Sequence, residues 1–236
     1  MTSDHHPPRS AVESARRTIA IERQAVEQLE HRIDDSFTKA VDLLASVEGR
    51  VIVSGMGKSG HIANKIAATL ASTGTPAQFV HPAEACHGDM GMITRSDAAL
   101  LMSNSGTTSE ITALLPLLKR LGVPIVAMTG NDASTLATAA DVHLNIGVSE
   151  EACPLDLAPT ASTTANLVMG DALAIALLEQ SGFTAEDFAF THPGGALGRR
   201  LLTRVSDVVV SGDDVPRVTR DTSLADALME ISAKGL

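Results

Sequence analysis

Five short apolar runs of the kind found in buried strands constrain the fold of this chain more than any other feature. Most of them end in Ser or Thr or lead into Gly, and each is followed by a helical pattern. They span residues 50–54, 78–80, 98–103, 124–129 and 141–146. Strands separated by helices imply right-handed crossovers, so the runs predict an α/β fold with a doubly wound, five-stranded parallel sheet flanked by helices. Ligands of such sheets bind at the carboxyl ends of the strands.

Helical patterns complete one main domain, predicted over residues 11–202. A three-and-four spacing of apolar residues predicts one long helix over residues 11–47. A second apolar helix over residues 163–180 closes the domain, and residues 191–202 carry a Gly-rich turn and a short basic helix.

Both ends of the chain differ from this domain. Residues 1–10 are polar and lack the apolar core of a secretory signal, so we interpret them as a disordered tail. From Val205 the pattern changes to an apolar run over residues 208–210, a polar link and a further strand-then-helix start. Residues 205–236 are too short to bury a core alone and are predicted to begin a second module.

The composition of the chain limits the kinds of molecule that it is expected to bind. The net charge is −10 and only 2% of the residues are aromatic, which opposes binding to nucleic acid. Two cysteines give no disulfide framework and favour a reducing, cytoplasmic location. We see no apolar run of membrane-spanning length. An acidic protein can still hold a small phosphate through helix N-termini and local donors.

The loop after the first strand is rich in glycine, from Gly55 to Gly60. Its glycines allow close approach of a ligand, and a helix predicted to begin near His61 would offer N–H groups to an anion. The same glycines satisfy the dinucleotide fingerprint, but the second strand is followed by His81 and Pro82 instead of an acidic residue. A triphosphate-binding loop is less favoured, because Ile52 stands where its first Gly should be.

The loop after the third strand is dense in hydroxyl groups between Ser103 and Glu110. Beside a helix N-terminus these neutral donors can surround a phosphate. The alternative is an ordinary helix cap with extra polar residues. A zinc site from His81, Cys86, His87 and Asp89 is not favoured, since their spacing lacks the pattern of a tetrahedral site.

Taken together in this order, the motifs from about Val51 onward resemble the arabinose-5-phosphate isomerases of Gram-negative bacteria. The motifs are Gly55-Met56-Gly57-Lys58-Ser59-Gly60-His61, Ala71-Ser72-Thr73-Gly74-Thr75-Pro76, His81-Pro82-Ala83-Glu84-Ala85, His87-Gly88-Asp89, Ser103-Asn104-Ser105-Gly106, Glu151-Ala152-Cys153-Pro154-Leu155, Leu157-Ala158-Pro159-Thr160 and His192-Pro193-Gly194-Gly195-Ala196-Leu197-Gly198.

The resemblance implies a sugar isomerase (SIS) domain followed by two cystathionine-β-synthase-type (CBS) modules, of which residues 205–236 would begin the first. It implies interconversion of D-arabinose 5-phosphate and D-ribulose 5-phosphate, feeding Kdo and lipopolysaccharide synthesis. It also implies a cytoplasmic homotetramer with no cofactor, no required metal, no nucleic-acid or membrane partner, and at most an inhibitory zinc at His81.

The resemblance assigns the catalytic set to Lys58, Glu110, Glu151 and His192. Substrate contacts are expected over residues 113–122 and at further positions in the loops. These positions are Ser54, Gly55, Ser59, Gly74, Thr75, His81, His87, Ser103, Asn104, Ser105, Thr107, Thr108, Gly147, Val148 and Ser149.

Chemistry suggests a role for each catalytic candidate. Moving a proton between neighbouring carbons through an enediol needs a base near the carbon and a second acid–base group. We assign Glu151 as the carbon base and His192, a residue type that titrates near neutral pH, to ring opening. Lys58 would stabilise the enediolate or the phosphate, and Glu110 would orient Lys58 or relay an oxygen proton.

Each of these side chains also has a non-catalytic interpretation. Glu110 can be a first-turn surface acid, Glu151 part of a solvated loop, and His192 a turn residue. At the level of function, the alternatives are a non-catalytic sugar-phosphate sensor, a nicotinamide-dependent dehydrogenase, and an isomerase of another sugar phosphate.

Overall fold

A computed structural model describes residues 10–235. The strands are β1 (Val51–Gly55), β2 (Ala77–Phe79), β3 (Ala98–Met102), β4 (Ile125–Thr129) and β5 (Val142–Asn145). The helices are α1 (Ala11–Glu30), α2 (Asp35–Ala45), α3 (Gly57–Ser72), α4 (Pro82–Cys86), α5 (Ser109–Thr112), α6 (Leu115–Leu121), α7 (Thr135–Ala139), α8 (Ala161–Ser181), α9 (Ala185–Thr191), α10 (Ala196–Leu202), α11 (Val205–Val208) and α12 (Leu224–Ala233). Two 3-10 turns lie at Asp89–Met92 and Gly212–Asp214.

The five strands form one parallel sheet in the order β2-β1-β3-β4-β5. Each strand lies within one residue of its predicted bounds, and the predicted doubly wound α/β fold is confirmed. Alternate side chains of a strand face opposite layers: Val53 packs in one apolar cluster and Ile52 in the other. The first cluster includes residues of α2, α3 and α8, and the second includes residues of α4 to α7. Helices cover both faces of the sheet, so the strands are apolar at nearly every position. This is why their sequences are continuous apolar runs.

The predicted single helix over residues 11–47 is two helices, α1 and α2. Ser10 caps α1 in a capping box with Glu13. The chain then leaves the helix at residues 31–34, where Asp34 adopts an extended conformation and its carboxylate accepts the N–H of Ser36 at 2.8 Å. Apolar spacing continues in phase across this break, whereas the cap that interrupts it is local. The periodicity therefore indicated the buried face correctly and missed the break.

The prediction that no apolar run reaches membrane-spanning length did not take account of α8. This helix has 21 residues and is long and apolar enough to cross a membrane. Half of its most apolar stretch is buried inside the protein, where α8 packs on α1, α2 and α3. These contacts are those of a core helix.

The chain divides into two compact units, one ending at Thr184 and one beginning at Ala185. The second contains α9 to α12, including the predicted short basic helix as α10. The apolar run at residues 208–210 begins inside α11, and the strand predicted after the polar link does not form among the described residues 185–235, although the helix predicted after it does, as α12. A strand needs a partner to satisfy its backbone, and these residues offer none. Assignment of residues 205–236 to a CBS module stays a prediction, and residues 1–9 of the predicted tail lie outside the described chain.

Candidate active site

The ends of three neighbouring strands meet closely at the carboxyl edge of the sheet. Asn104 follows β3, Gly130 follows β4 and Gly147 lies two residues beyond β5. The Gly130 N–H donates to the carbonyl of Asn104 at 2.9 Å. A Cβ atom on Gly147 would lie 3.0 Å from the Gly130 carbonyl oxygen, so a side chain there would require the neighbouring backbone to shift. The predicted convergence of loops at this edge is therefore present.

The Gly-rich loop after β1 leads into α3 earlier than predicted. The helix begins at Gly57, not near His61, because Met56 already takes the extended N-cap conformation. Lys58 and Ser59 consequently lie in its first turn. Met56 makes no side-chain cap, so the first N–H groups of this 16-residue helix stay available to an anion.

Two glycines of this loop are explained by its own packing. A Cβ on Gly55 would lie 2.8 Å from the Ser59 carbonyl oxygen, and a Cβ on Gly60 would lie 2.6 Å from the Gly55 carbonyl oxygen. The strand end and the helix start thus require each other to lack side chains. This is a structural reason for the glycine spacing that needs no dinucleotide.

The loop after β3 uses some of its hydroxyls internally. The buried Ser103 hydroxyl lies 2.8 Å from that of Thr108 and accepts the N–H of Gly106 at 3.1 Å. Ser105 accepts both the N–H and the hydroxyl of Thr107, at 3.3 and 3.1 Å. Thr108 is the N-cap residue of α5 but makes no side-chain cap bond. The hydroxyl groups therefore hold the shape of the loop and do not merely cap a helix. Asn104, Ser105 and Thr107 of this loop are exposed to solvent.

Glu110 and His81 face the same region from neighbouring elements. Glu110 accepts a hydrogen bond from the Ser109 hydroxyl at 2.7 Å. This bond, with the backbone of Glu110 and the nearby His81, lowers the pKa of the Glu110 carboxyl despite some desolvation. His81 precedes α4 and stacks edge-on with Phe79, with ring centroids 6.3 Å apart. Glu110 is thus ionised at neutral pH.

Unpaired buried polar atoms concentrate at this edge. In the described part of the chain, three side-chain atoms are buried without a hydrogen-bond partner: Ser54 Oγ, His81 Nδ1 and Asn166 Oδ1. Ser54 and His81 lie at the ends of β1 and β2 and belong to the predicted substrate contacts. Since buried polar groups are nearly always paired, these two atoms point to a site that a polar ligand completes.

Glu151 lies in the loop between β5 and α8, and its carboxylate holds the start of α8. Oε2 accepts the N–H and hydroxyl of Thr160 at 2.7 and 2.9 Å, and the N–H of Ser162 at 3.3 Å. Burial raises the pKa of the Glu151 carboxyl, but the hydrogen bonds from Ser162 and Thr160 outweigh it and the net shift is downward. The carboxylate is therefore in the basic form and fixed in place, not free in a solvated loop.

A cavity of about 310 Å³ brings the β3 and β5 loops together. Asn104 lines it from one side, and Ser149 and Glu151 line it from the other. The size suits a small polar molecule better than a dinucleotide. Val148, Glu150, Asp156, Leu157 and Pro159 complete the lining.

Some predicted site residues are not brought to this edge. Gly74 and Thr75 form the turn before β2, at the amino end of the sheet, where the Thr75 N–H donates to the Leu70 carbonyl at 2.9 Å. Gly74 has φ 95°, and a Cβ there would overlap the ring of Phe183. Both line a separate cavity. Within one chain they serve the α3–β2 turn, and their contact with substrate stays a prediction.

His192 belongs to the second compact unit. Its ring stacks on Phe188, with centroids 4.0 Å apart, and its Nδ1 lies 2.9 Å from the Phe188 carbonyl oxygen. His87 is exposed after α4. Residues 113–122 are α6 with its flanks, and Leu115 and Leu118 of this segment pack in the core. Among residues 10–235, no three His, Cys, Asp or Glu side chains converge as metal ligands. The inhibitory zinc at His81 remains untested.

Sequence reasoning missed the residues that hold the candidate base. Thr160 and Ser162 position Glu151, and a signal for them existed: Pro159-Thr160 precedes an apolar run, as at a helix start. Arg17 and Arg32, which contact the same loop from the N-terminal helices, gave no local signal.

The fold and the edge define the class of protein first. The sequence model of the SIS domain matches residues 43–176, a range that contains all five strands and the loops at their carboxyl edge.

Proteins of similar sequence and structure then identify the family within this class. The chain is 64% identical to "Arabinose 5-phosphate isomerase KdsD" of Pseudomonas aeruginosa over 95% of its length and 69% of the relative. It is 57% identical to the protein of that name from Escherichia coli K12, over 95% of this chain and 68% of that one. A solved structure of the E. coli CFT073 protein c3406 in complex with arabinose 5-phosphate is 44% identical with a TM-score of 0.75 and covers 77% of this chain and 97% of that chain. This chain belongs to the SIS-domain family of the arabinose 5-phosphate isomerases.

Proposed function

We propose that this protein is an aldose–ketose isomerase that interconverts D-arabinose 5-phosphate and D-ribulose 5-phosphate. The observation that carries the proposal is the cavity that Asn104 of the β3 loop and the ionised Glu151 line together at the edge of the sheet. The relatives of that name at 57–64% identity support the same reaction.

The phosphate is held by neutral donors and one cation. Asn104, Ser105 and Thr107 reach solvent around the β3 loop, and the uncapped start of α3 supplies N–H groups beside Lys58. Such close-range donors hold an anion even though the chain carries a net charge of −10. The substrate's carbon chain then extends toward the β5 loop.

In this proposal Glu151, Glu110 and His192 transfer protons, and Lys58 stabilises charge. Glu151 removes the proton from the carbon next to the carbonyl and returns it to the neighbouring carbon through an enediol. Its lowered pKa keeps it unprotonated, while its hydrogen bonds fix its position. Lys58 stabilises the negative oxygen, and Glu110 relays a proton between the oxygens. His192 opens the sugar ring.

We also propose that the enzyme is a cytoplasmic homotetramer, with sugar phosphate as its small-molecule partner. The surface of α8 supports self-association, because this mainly apolar helix is only half buried over its most apolar stretch and its Ile175 is 48% exposed. Contiguous apolar surface that stays exposed is typical of protein–protein contacts. An apolar groove beside it is lined by Val26, Ile33 and Val168.

An assay of ketose formation from a panel of aldose phosphates tests the function. We expect turnover with D-arabinose 5-phosphate and little with hexose phosphates. Turnover confined to another aldose phosphate would reassign the substrate. Tight binding of sugar phosphate without turnover would instead make the protein a sensor.

A further inference from the structure

The helix α1 and the residues just after it contact the loop that carries Glu151 at both ends of that loop. We call residues 147–152 the base loop. At its far end, Arg17 of α1 donates from Nη1 to the Ala152 carbonyl at 2.7 Å, and its Nη2 lies 4.0 Å from a carboxylate oxygen of Glu150. At its near end, Arg32, just beyond α1, donates to the Gly147 carbonyl. These contacts join residues 135 and 115 positions apart in the chain.

Between the two arginines, α1 supplies an apolar surface for the same loop. Ile21 and Ala25 are buried in a small cluster with Ala152 and Ala161, and Val148 packs against it. Ile21 is 8% exposed and Ala152 is 5% exposed. The base loop is therefore hydrogen-bonded at its two ends by this segment, and its Val148 and Ala152 pack with residues of the same segment.

The base loop has no regular secondary structure and is otherwise held by side-chain bonds near its two ends. The Gly147 N–H donates to the Asn145 side chain at 2.8 Å, and the Ala152 N–H donates to the Thr160 hydroxyl at 2.8 Å, next to the bonds that hold the Glu151 carboxylate. A guanidinium bound to a backbone carbonyl is a charge-assisted hydrogen bond and fixes geometry better than a flexible ammonium would. The two arginines thus hold the backbone on either side of Ser149 and Glu151, which line the cavity.

Helix α1 is also an addition to the domain that the SIS sequence model describes. That match begins at residue 43, after α1 has ended at Glu30. A helix outside the shared domain nevertheless contacts the loop on which the chemistry is proposed to depend.

We propose that Arg17 and Arg32 are positioning residues for the isomerase reaction, acting through the base loop and not on the substrate. This inference rests on the proposed function. Arg17 acts on Glu151 through the adjacent Ala152, so its loss lowers kcat with little effect on KM. Arg32 acts at Gly147, two residues before Ser149, so its loss also raises KM.

The test compares Arg17→Met and Arg32→Met with Arg16→Met and Arg23→Met. Arg16 and Arg23 lie exposed on the same helix, and Arg23 pairs with Glu27 on the surface, so each control removes one positive charge without touching the base loop. We expect kcat to fall about 10- to 100-fold in the first pair, since small misplacements of a catalytic group cost that much. The controls should keep wild-type kcat and KM.

A double variant separates positioning from general destabilisation. In a Glu151→Gln background, Arg17→Met should cause no further loss in solvent deuterium exchange at the reacting carbon, because the group it positions is already inactive. An additive loss would overturn the inference. If Arg17→Met lowers the melting temperature below that of the assay, Arg17→Lys carries the test: we expect at least about a threefold loss of kcat, because lysine lacks the guanidinium fork.

Wild-type kcat in Arg17→Lys or in a folded Arg17→Met would equally overturn the inference. Measuring the wild-type protein in the same assay distinguishes a failure of the proposed function from a failure of the positioning role. If it does not isomerise D-arabinose 5-phosphate, the proposed function fails; if it does and the arginine variants match it, only the positioning role fails.

Discussion

Two carboxylates with lowered pKa values lie at opposite ends of the sheet and do different work. Asp97 lies at the amino end, where Oδ1 accepts the N–H of Arg50 at 2.7 Å and Oδ2 accepts the N–H and hydroxyl of Thr94 at 2.7 and 3.0 Å. Burial raises the pKa of its carboxyl, but these bonds and the Arg50 charge outweigh it. A Cβ on Gly49 would overlap Asp97, which explains that glycine. Glu151 lies at the carboxyl end.

Asp97→Asn should destabilise the fold without changing the chemistry. The amide N–H₂ would face a backbone donor, and losing hydrogen bonds to a charged group costs about 2–3 kcal/mol. The folded pKa of Asp97 is below its usual 3.8, so its contribution is present above that pH and is lost as the pH falls through the folded pKa. Urea unfolding at pH 7 and at pH values stepped down to about 3, below the usual 3.8, measures the difference between wild type and variant.

That difference in unfolding free energy should shrink toward low pH, while kcat of the folded variant stays at the wild-type level. The exposed Asp89→Asn is the control and should change neither. A difference that does not depend on pH would show that the charge of Asp97 is not what stabilises the fold.

Glu151 is held by the same kind of hydrogen bonds, and in the proposed mechanism it is the carbon base. Glu151→Gln keeps the shape of the side chain but removes its ability to take a proton, so isomerisation should fall about 10²- to 10⁴-fold. Sugar-phosphate binding should survive, because the β3 loop is unchanged. Solvent deuterium exchange at the carbon next to the carbonyl, with a binding titration beside it, measures both effects.

Glu48→Gln, exposed in the turn before β1, serves as the matched control and should behave as wild type. Wild-type exchange in Glu151→Gln would instead pass the role of carbon base to Glu110 or His192.

At the level of elements, the sequence predicted what depends on local pattern. The strands were predictable because they are buried on both faces and are bounded by turn residues; β3, for example, is buried at all five positions. The break between α1 and α2 was not, because Ile33 and Phe37 keep the apolar spacing across it. Likewise the contacts of Arg17 and Arg32 with the base loop depend on packing between segments more than 100 residues apart, which no local pattern encodes.

The close packing of α8 on α3 predicts that adding a side chain at their contact destabilises the fold. A Cβ on Gly170 would overlap the side chain of Ile66, which is fully buried. Gly170→Ala gains about 1 kcal/mol of helix propensity but should lose more to overpacking, about 1–3 kcal/mol. Urea unfolding should therefore show net destabilisation.

The cause can be isolated with Ile66→Ala, which leaves space for the new methyl group. In that background Gly170→Ala should be neutral or stabilising, whereas a cost that stays the same would place the clash elsewhere. Gly91→Ala, where a Cβ meets nothing within 4 Å, controls for the substitution itself.

At the level of the whole molecule, the proposed catalytic set is divided between two compact units. Lys58, Glu110 and Glu151 belong to the first unit, and His192 belongs to the second. The apolar, partly exposed α8 supports self-association. These two features together suggest that His192 serves the site of a neighbouring subunit.

Subunit mixing tests this arrangement. Glu151→Gln and His192→Asn should each be inactive alone. If His192 acts in a neighbouring subunit, random 1:1 assembly of the two variants pairs an intact Glu151 with an intact His192 in about a quarter of the sites, so up to about a quarter of the wild-type activity returns. If His192 acts within its own subunit, every site lacks one group and no activity returns. Light scattering on the same samples gives the mass of the assembly, and a fully active monomer would contradict both the tetramer and the shared site.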